Sequence, residues 1–266
     1  MGTAVDKLRL PTGTTPSLGR VGQERRQDGM IADVMNPPLR RLHPSPVTPI
    51  TIPDAYQAER PAPHNRPWIG LCMVSSLDGS VSIDGTSGGL GNPNDIGVLM
   101  ALRDIADMVL VGAGTARGEG YGPPRLAGKR IGVVSNSGRV DHTTDLFTSG
   151  AGFLIAPDAA DIDESRVEVL RAGDTEVDLT LAVTRLHHVM PSVRYVQAEG
   201  GPHLNGALLA ADLIDELDLS LSPRTVGGDG PRLSTGGPEN QQRFELAHLL
   251  VDDDSFVFTR WVRQGS

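Results

Sequence analysis

The chain is predicted to fold as an α/β domain with a mainly parallel central sheet and an antiparallel C-terminal edge. Three observations predict it. From Trp68 onward, short apolar runs end in glycine-containing turns; segments with helical apolar spacing alternate with those runs; and the last apolar segment is poor in helix formers. At 266 residues, with 38% hydrophobic and 21% charged residues, the chain can build a sizeable core. A net charge of −9 works against a nucleic-acid surface, because such binding draws most of its affinity from Lys and Arg neutralising phosphates. A single cysteine excludes an internal disulfide framework and any zinc site built on a cysteine pair. No apolar run approaches the roughly 18 residues that span a bilayer, and the expected setting is cytoplasmic.

Eleven of the twenty prolines lie at or before Pro67, and that stretch has one aromatic residue, Tyr56. Residues 1–35 therefore read as a disordered or mis-started extension, and 36–67 as an arm on the surface of a domain running from 68 to 266. In order, Ile69–Val74 is a strand, followed by the turn residues Asp78-Gly79. Asn92-Pro93 places a capping amide ahead of a proline suited to the first helical turn, and Ile96, Leu99, Met100 and Arg103 recur at helical spacing. Met108–Val111 and Ile131–Val134 are buried strands. A strand at Phe153–Ile155 follows, then helices around Glu164–Arg171 and Leu179–Val189. Tyr195–Ala198 is a strand leading into a helix over His203–Ala211. Strands near Leu217–Leu221 and Phe256–Val262 complete the domain, with Asp252-Asp253-Asp254 as a solvated turn before the last.

Ligands of open α/β sheets bind at the carboxyl ends of strands, so the glycine turns there are the candidate site. Gly112-Ala113-Gly114-Thr115 and Glu199-Gly200-Gly201-Pro202 are the two strongest, with His203 and Leu204 opening the helix beyond the second. Backbone without Cβ atoms can approach a pyrophosphate, and a helix N-terminus supplies open N–H groups. Each turn alone also reads as an ordinary turn. Ser135, Ser137 and Arg139 form an anion-suited cluster that would hold an adenosine 2′-phosphate and select NADPH over NADH, or else a plain Ser-Gly turn with a solvated Arg. Asp95 reads equally as a carboxylate that grips an amino-pyrimidine edge and handles a proton, or as a helix-dipole acid. Cys72 reads as a buried strand thiol.

Ser75-Ser76-Leu77-Asp78-Gly79, the Asn92-Pro93 helix with Leu102-Arg103, Val111 through Thr115, and Glu199-Gly200-Gly201-Pro202 with Leu217-Asp218-Leu219 together resemble the reductase domain of bacterial riboflavin biosynthesis. Pro38-Leu39-Arg40 is similar to stand-alone actinobacterial pyrimidine reductase family proteins. The resemblance covers about Trp68 to Val262. It implies a dihydrofolate reductase-like three-layer α/β/α fold, a homodimer, and NADPH-dependent hydride transfer to a 5-amino-6-ribosylamino-uracil phosphate or related pyrimidine. Thr115 and Glu119 would face the cofactor, Ser135 its adenosine ribose, and Gly201 through Ala207 its phosphates. Val74 and Gly89 are further positions expected at the cofactor, while Arg103 and Glu199 would touch the substrate. Cys72 stands where many members carry a Lys, and Ser87 through Asn92 lacks the Trp and Thr that commonly precede the helix. Substrate identity is thereby left open between the pyrimidine and a dihydrofolate or dihydropterin, with a non-catalytic NADP-binding paralogue as a third reading.

Overall fold

The computed structural model describes residues 38–264, so the extension expected before them lies outside the described residues. The elements in order are β1 (Leu39–His43), β2 (Thr48–Pro49), α1 (Ile52–Tyr56), β3 (Trp68–Ser76), α2 (Pro93–Ile105), β4 (Met108–Gly112), α3 (Ala113–Gly118), β5 (Arg130–Val134) and α4 (Asp145–Thr148). There follow β6 (Gly152–Ala156), β7 (Val169–Arg171), α5 (Leu179–Arg185), β8 (Tyr195–Ala198), α6 (Pro202–Ala210), β9 (Glu216–Ser222), β10 (Phe244–Asp252) and β11 (Val257–Arg263). All strands join one 11-stranded sheet in the order β2-β1-β10-β11-β9-β3-β8-β4-β5-β6-β7. Pairing is parallel from β9 through β7 and antiparallel among β9, β11, β10, β1 and β2.

Helices cover both faces, which is why β3 is buried along nearly its whole length rather than alternating. Ile69, Leu71, Met108, Leu110 and Val196 pack on one side with Leu204 and Leu208 of α6. On the other, Cys72 meets Tyr56, Val98 and Leu102 of α1 and α2, and Val109, Val111 and Ile131 pack with Leu146 of α4. Burying both faces removes each apolar strand residue from water, worth about 1.5–3 kcal/mol per large side chain.

Three expectations are corrected and a fourth gains detail. The helix around Glu164–Arg171 is a turn followed by β7, which pairs with β6. Val167 and Leu170 bury into clusters on opposite faces of the sheet, whereas a spacing of three on a helix puts both on one side. Asp252 is not solvated: it is 3% exposed, and one oxygen accepts from the side-chain amides of Asn92 at 2.8 Å and Asn94 at 3.0 Å, tying the start of α2 to the β10–β11 turn. The last strand is antiparallel, but it lies inside the sheet between β9 and β10. The segment expected as a surface arm supplies β1, which hydrogen-bonds along β10.

Candidate functional site

The carboxyl ends of β4, β5 and β8 meet at one cleft. β8 lies between β3 and β4, so its exit loop emerges beside that of β4, and the Gly112 amide donates to the Gly200 carbonyl at 2.7 Å. Gly200 has φ of +79°, which glycine adopts without the cost a side chain would bring. A Cβ on Gly201 would stand 2.5 Å from Thr115 Oγ1, so this close approach of two turns requires glycine. Among the described residues no side chain caps α6, whose first turn borders the cleft and brings the partial positive charge of its amides there.

Two cavities share this junction. One, of about 560 Å³, is lined by Gly112, Gly114, Thr115, Ser135 and Ser137, and on the α6 side by Gly201, Pro202, His203 and Leu204. The other, of about 350 Å³, is lined by Cys72, Val74, Asp95, Glu119, Tyr121 and Glu199. Gly114, Thr115, Gly201 and Pro202 border both, which makes them a single elongated cleft.

Asp95 reaches the second cavity because Asn92 caps α2, its Oδ1 accepting from the Asp95 amide at 3.0 Å. A Cβ on Gly91 would lie 2.5 Å from Asp95 Oδ2, so the glycine leaves room for the carboxyl. Burial raises the Asp95 pKa above the ordinary carboxylate value, and the Ser220 hydroxyl opposes that only in part. The thiol of Cys72, buried as expected, is likewise pushed up by burial, with Asp218 adding to it.

Arg103 and Glu199 prove to be partners. Arg103 Nε and Nη2 donate to the two Glu199 carboxylate oxygens at 2.7 and 2.5 Å, and the Tyr121 hydroxyl adds a third bond at 2.6 Å. Burial works against the Arg103 charge, yet the hydrogen bonds and charge of Glu199 overcome it and raise the guanidinium pKa. Glu199 lines the cavity; Arg103 stands behind it and fixes its rotamer.

The family model described as RibD C-terminal domain matches residues 67–258. The chain belongs to the RibD C-terminal domain family. The 2,5-diamino-6-ribosylamino-4(3H)-pyrimidinone 5′-phosphate reductase of Methanothermobacter thermautotrophicus is 28% identical over 188 residues, spanning 65% of this chain and 85% of that protein. The reductase of the same name from Archaeoglobus fulgidus is 26% identical over 197 residues, 64% of this chain and 87% of that one. Among solved structures, a pyrimidine reductase-like protein from Corynebacterium diphtheriae superposes with a TM-score of 0.69 at 24% identity, covering 82% of this chain and all 100% of that one. The riboflavin biosynthesis reductase of Saccharomyces cerevisiae superposes with a TM-score of 0.60 at 21% identity, over 79% and 94% of the two chains. These two likenesses show the fold.

In this RibD C-terminal domain, three expected positions besides Arg103 do not line the cleft. Arg139 is exposed, its backbone amide turned to Ser137 Oγ at 3.3 Å. Gly89 offers its carbonyl to Arg224 at 3.0 Å. Gly200 spends its carbonyl on Gly112. Glu119 lines the second cavity and also accepts from the Ser87 amide at 2.7 Å, which holds the β3–α2 loop against the end of α3. Sequence reasoning passed over Tyr121 and Glu176. Tyr121 carried a signal, an isolated aromatic beside a glycine in a chain with 4% aromatics. Glu176, at the wall of the larger cavity, carried none, because it sits in a polar loop between weakly patterned elements.

Proposed function

We propose that this protein moves a hydride from a reduced nicotinamide dinucleotide to a 5-amino-6-ribosylamino-uracil phosphate or a related pyrimidine; the relatives it resembles are named as reductases of 2,5-diamino-6-ribosylamino-4(3H)-pyrimidinone 5′-phosphate. The observation that carries the proposal is the continuity of the two cavities at Thr115 and Gly201. It gives a long cradle for a dinucleotide and a separate, carboxylate-bearing chamber where the dinucleotide's reactive end would arrive. The cradle fits such a group: bare glycines face it at Gly112, Gly114 and Gly201, and the start of α6 favours a diphosphate.

The bound dinucleotide would supply the hydride, and the chain's residues would do the rest. The Gly112–Thr115 and Gly200–Leu204 turns hold the diphosphate through main-chain amides. Asp95, protonated more readily than an ordinary carboxyl, delivers a proton to the nitrogen of an open imine as its carbon receives the hydride, which leaves a secondary amine. Glu199, locked by Arg103 and Tyr121, orients the amino-pyrimidine edge. Sequence expectation favours NADPH, with Ser135 and Ser137 lining the cavity and Arg139 standing outside it. The proposal includes a cytoplasmic setting, in which Cys72 stays a thiol. It also includes a homodimer, supported by the half-buried Leu217, Leu219, Phe244 and Trp261 around a 280 Å³ apolar groove on the antiparallel side, and sedimentation reads this directly.

One observation favours a second reading. The chamber presents Asp95, Glu119 and Glu199, and among the described residues no Lys or Arg lines it, which suits an uncharged amino-substituted ring such as a dihydropterin. Incubating the protein and a reduced coenzyme with the pyrimidine phosphate and, separately, with dihydrofolate, while following the loss of reduced-nicotinamide absorbance, decides between them. Oxidation with the pyrimidine alone establishes the first reading and oxidation with dihydrofolate alone the second. Coenzyme binding without oxidation of either substrate makes the chain a non-catalytic paralogue.

A further inference from the structure

We infer that the larger cavity is built for a coenzyme with a free adenosine ribose, NADH rather than NADPH, and that Glu176 is the residue that sets this choice. The inference rests on the dinucleotide reading above and runs opposite to the preference for NADPH expected from the sequence.

A 2′-phosphate carries close to two negative charges and is held in proteins by guanidinium or ammonium groups. Beside Ser135 and Ser137, where that phosphate would sit, the cavity wall contains no Lys or Arg among the described residues. The acidic residue of that wall is Glu176; His203 lines the same cavity from the start of α6. Asn136 anchors this stretch, its Oδ1 accepting from the Val177 amide at 3.0 Å, so the loop bearing Glu176 is tied to the end of β5. Every charged residue of Gly173–Asp178 is acidic: Asp174, Glu176 and Asp178. Asp178 is committed to capping α5 through the Leu181 amide at 2.9 Å. Asp174 and Glu176 are exposed, and of the three Glu176 is the one that lines the cavity.

The arginines of the neighbouring segments are not part of the cavity wall. Arg171 pairs with Glu164 at 2.7 Å, Arg185 donates to the Arg171 carbonyl at 2.7 Å, and Arg139 does not line the cavity. A carboxylate and a phosphate dianion held ~6 Å apart in water-like surroundings repel by enough to cost on the order of tenfold in affinity. The same carboxylate accepts hydrogen bonds from the ribose 2′- and 3′-hydroxyls, the chemistry by which acidic side chains select NAD over NADP elsewhere. Ser135 and Ser137 serve a ribose hydroxyl as well as they would a phosphate.

The test measures NADH and NADPH affinity by calorimetry on the full-length protein without substrate, for the parent, Glu176→Gln and Glu176→Lys. The parent should bind NADH about tenfold more tightly than NADPH. Glu176→Gln should narrow that ratio by improving NADPH, and Glu176→Lys should invert it. NADPH binding more tightly than NADH in the parent, or a ratio unchanged in Glu176→Gln, overturns the inference and leaves the dinucleotide reading intact. Failure of both coenzymes to bind overturns the two together.

Discussion

Replacing Arg103 with Met removes a charge from α2 while keeping most of the side-chain volume. Its partner Glu199 is then left in the chamber wall with 3% of its side chain exposed and one remaining bond, from Tyr121. Breaking one side of a buried ion pair typically costs 3–5 kcal/mol, because the survivor is an uncompensated charge. Arg103 is 29% exposed, so water screens part of the pair and the low end applies, about 3 kcal/mol. For a chain of this size that corresponds to roughly 6–12 °C in Tm. Scanning calorimetry at neutral pH reads it directly. Glu199→Gln in the same background should recover much of the loss, since the neutral amide needs no counter-charge, and the cycle of four proteins isolates the pair. A Tm within about 2 °C of the parent for Arg103→Met would show that the bidentate pair is not formed and that Arg103 is free to face substrate instead.

Three further outcomes are expected. Asp95→Asn should lower kcat by about 10²–10⁴ while coenzyme affinity stays within about twofold, and it should abolish the fall in kcat expected of the parent as pH rises through the elevated Asp95 pKa. Comparable loss of kcat and coenzyme binding would make Asp95 structural. Gly206→Ala lies within α6, where helix propensity alone predicts about 1 kcal/mol of stabilisation. Its Cβ would meet the Thr235 carbonyl at 2.3 Å, so thermal melting should show the variant less stable than the parent. His248, beside Tyr56 at 4.8 Å between ring centroids, has its pKa lowered to about 4 by burial and by the Arg260 charge. A folded-state pKa below the ordinary 6.5 means the unfolded chain takes the proton first, so stability is lost as pH falls from about 6.5 toward 4. The loss should reach about 2 kcal/mol by pH 5 in urea titrations and should vanish in His248→Phe.

The parallel half of the fold was legible because its strands are buried on both faces and read as unbroken apolar runs. The helix at Pro93 was legible because Asn92 and Pro93 are residues with one strong use each. β10 was missed: Glu245 and His248 interrupt its apolar residues, and it takes its place only by pairing with β11 and β1 from distant parts of the chain. The same distance hid the wiring of the site. Arg103 and Glu199 were each identifiable as candidates, yet their mutual pairing joins residues 96 positions apart, and no local pattern encodes it. Arg139 shows the converse, since a base following a serine turn has the right composition for a phosphate site whether or not it lines a cavity.

The place of β8 in the sheet bears on how the protein is made. A growing chain delivers β3 and β4 long before β8, and these two strands cannot close on each other, because the seat between them belongs to a segment not yet synthesised. Until Tyr195–Ala198 emerges, two apolar strands stand with open backbone edges, the arrangement most prone to pair with another chain. The strand that fills this gap is also the one whose exit loop completes the cleft. A nascent chain arrested before Gly201 would therefore have no competence to capture coenzyme, and chaperone engagement should be strongest in that interval of translation.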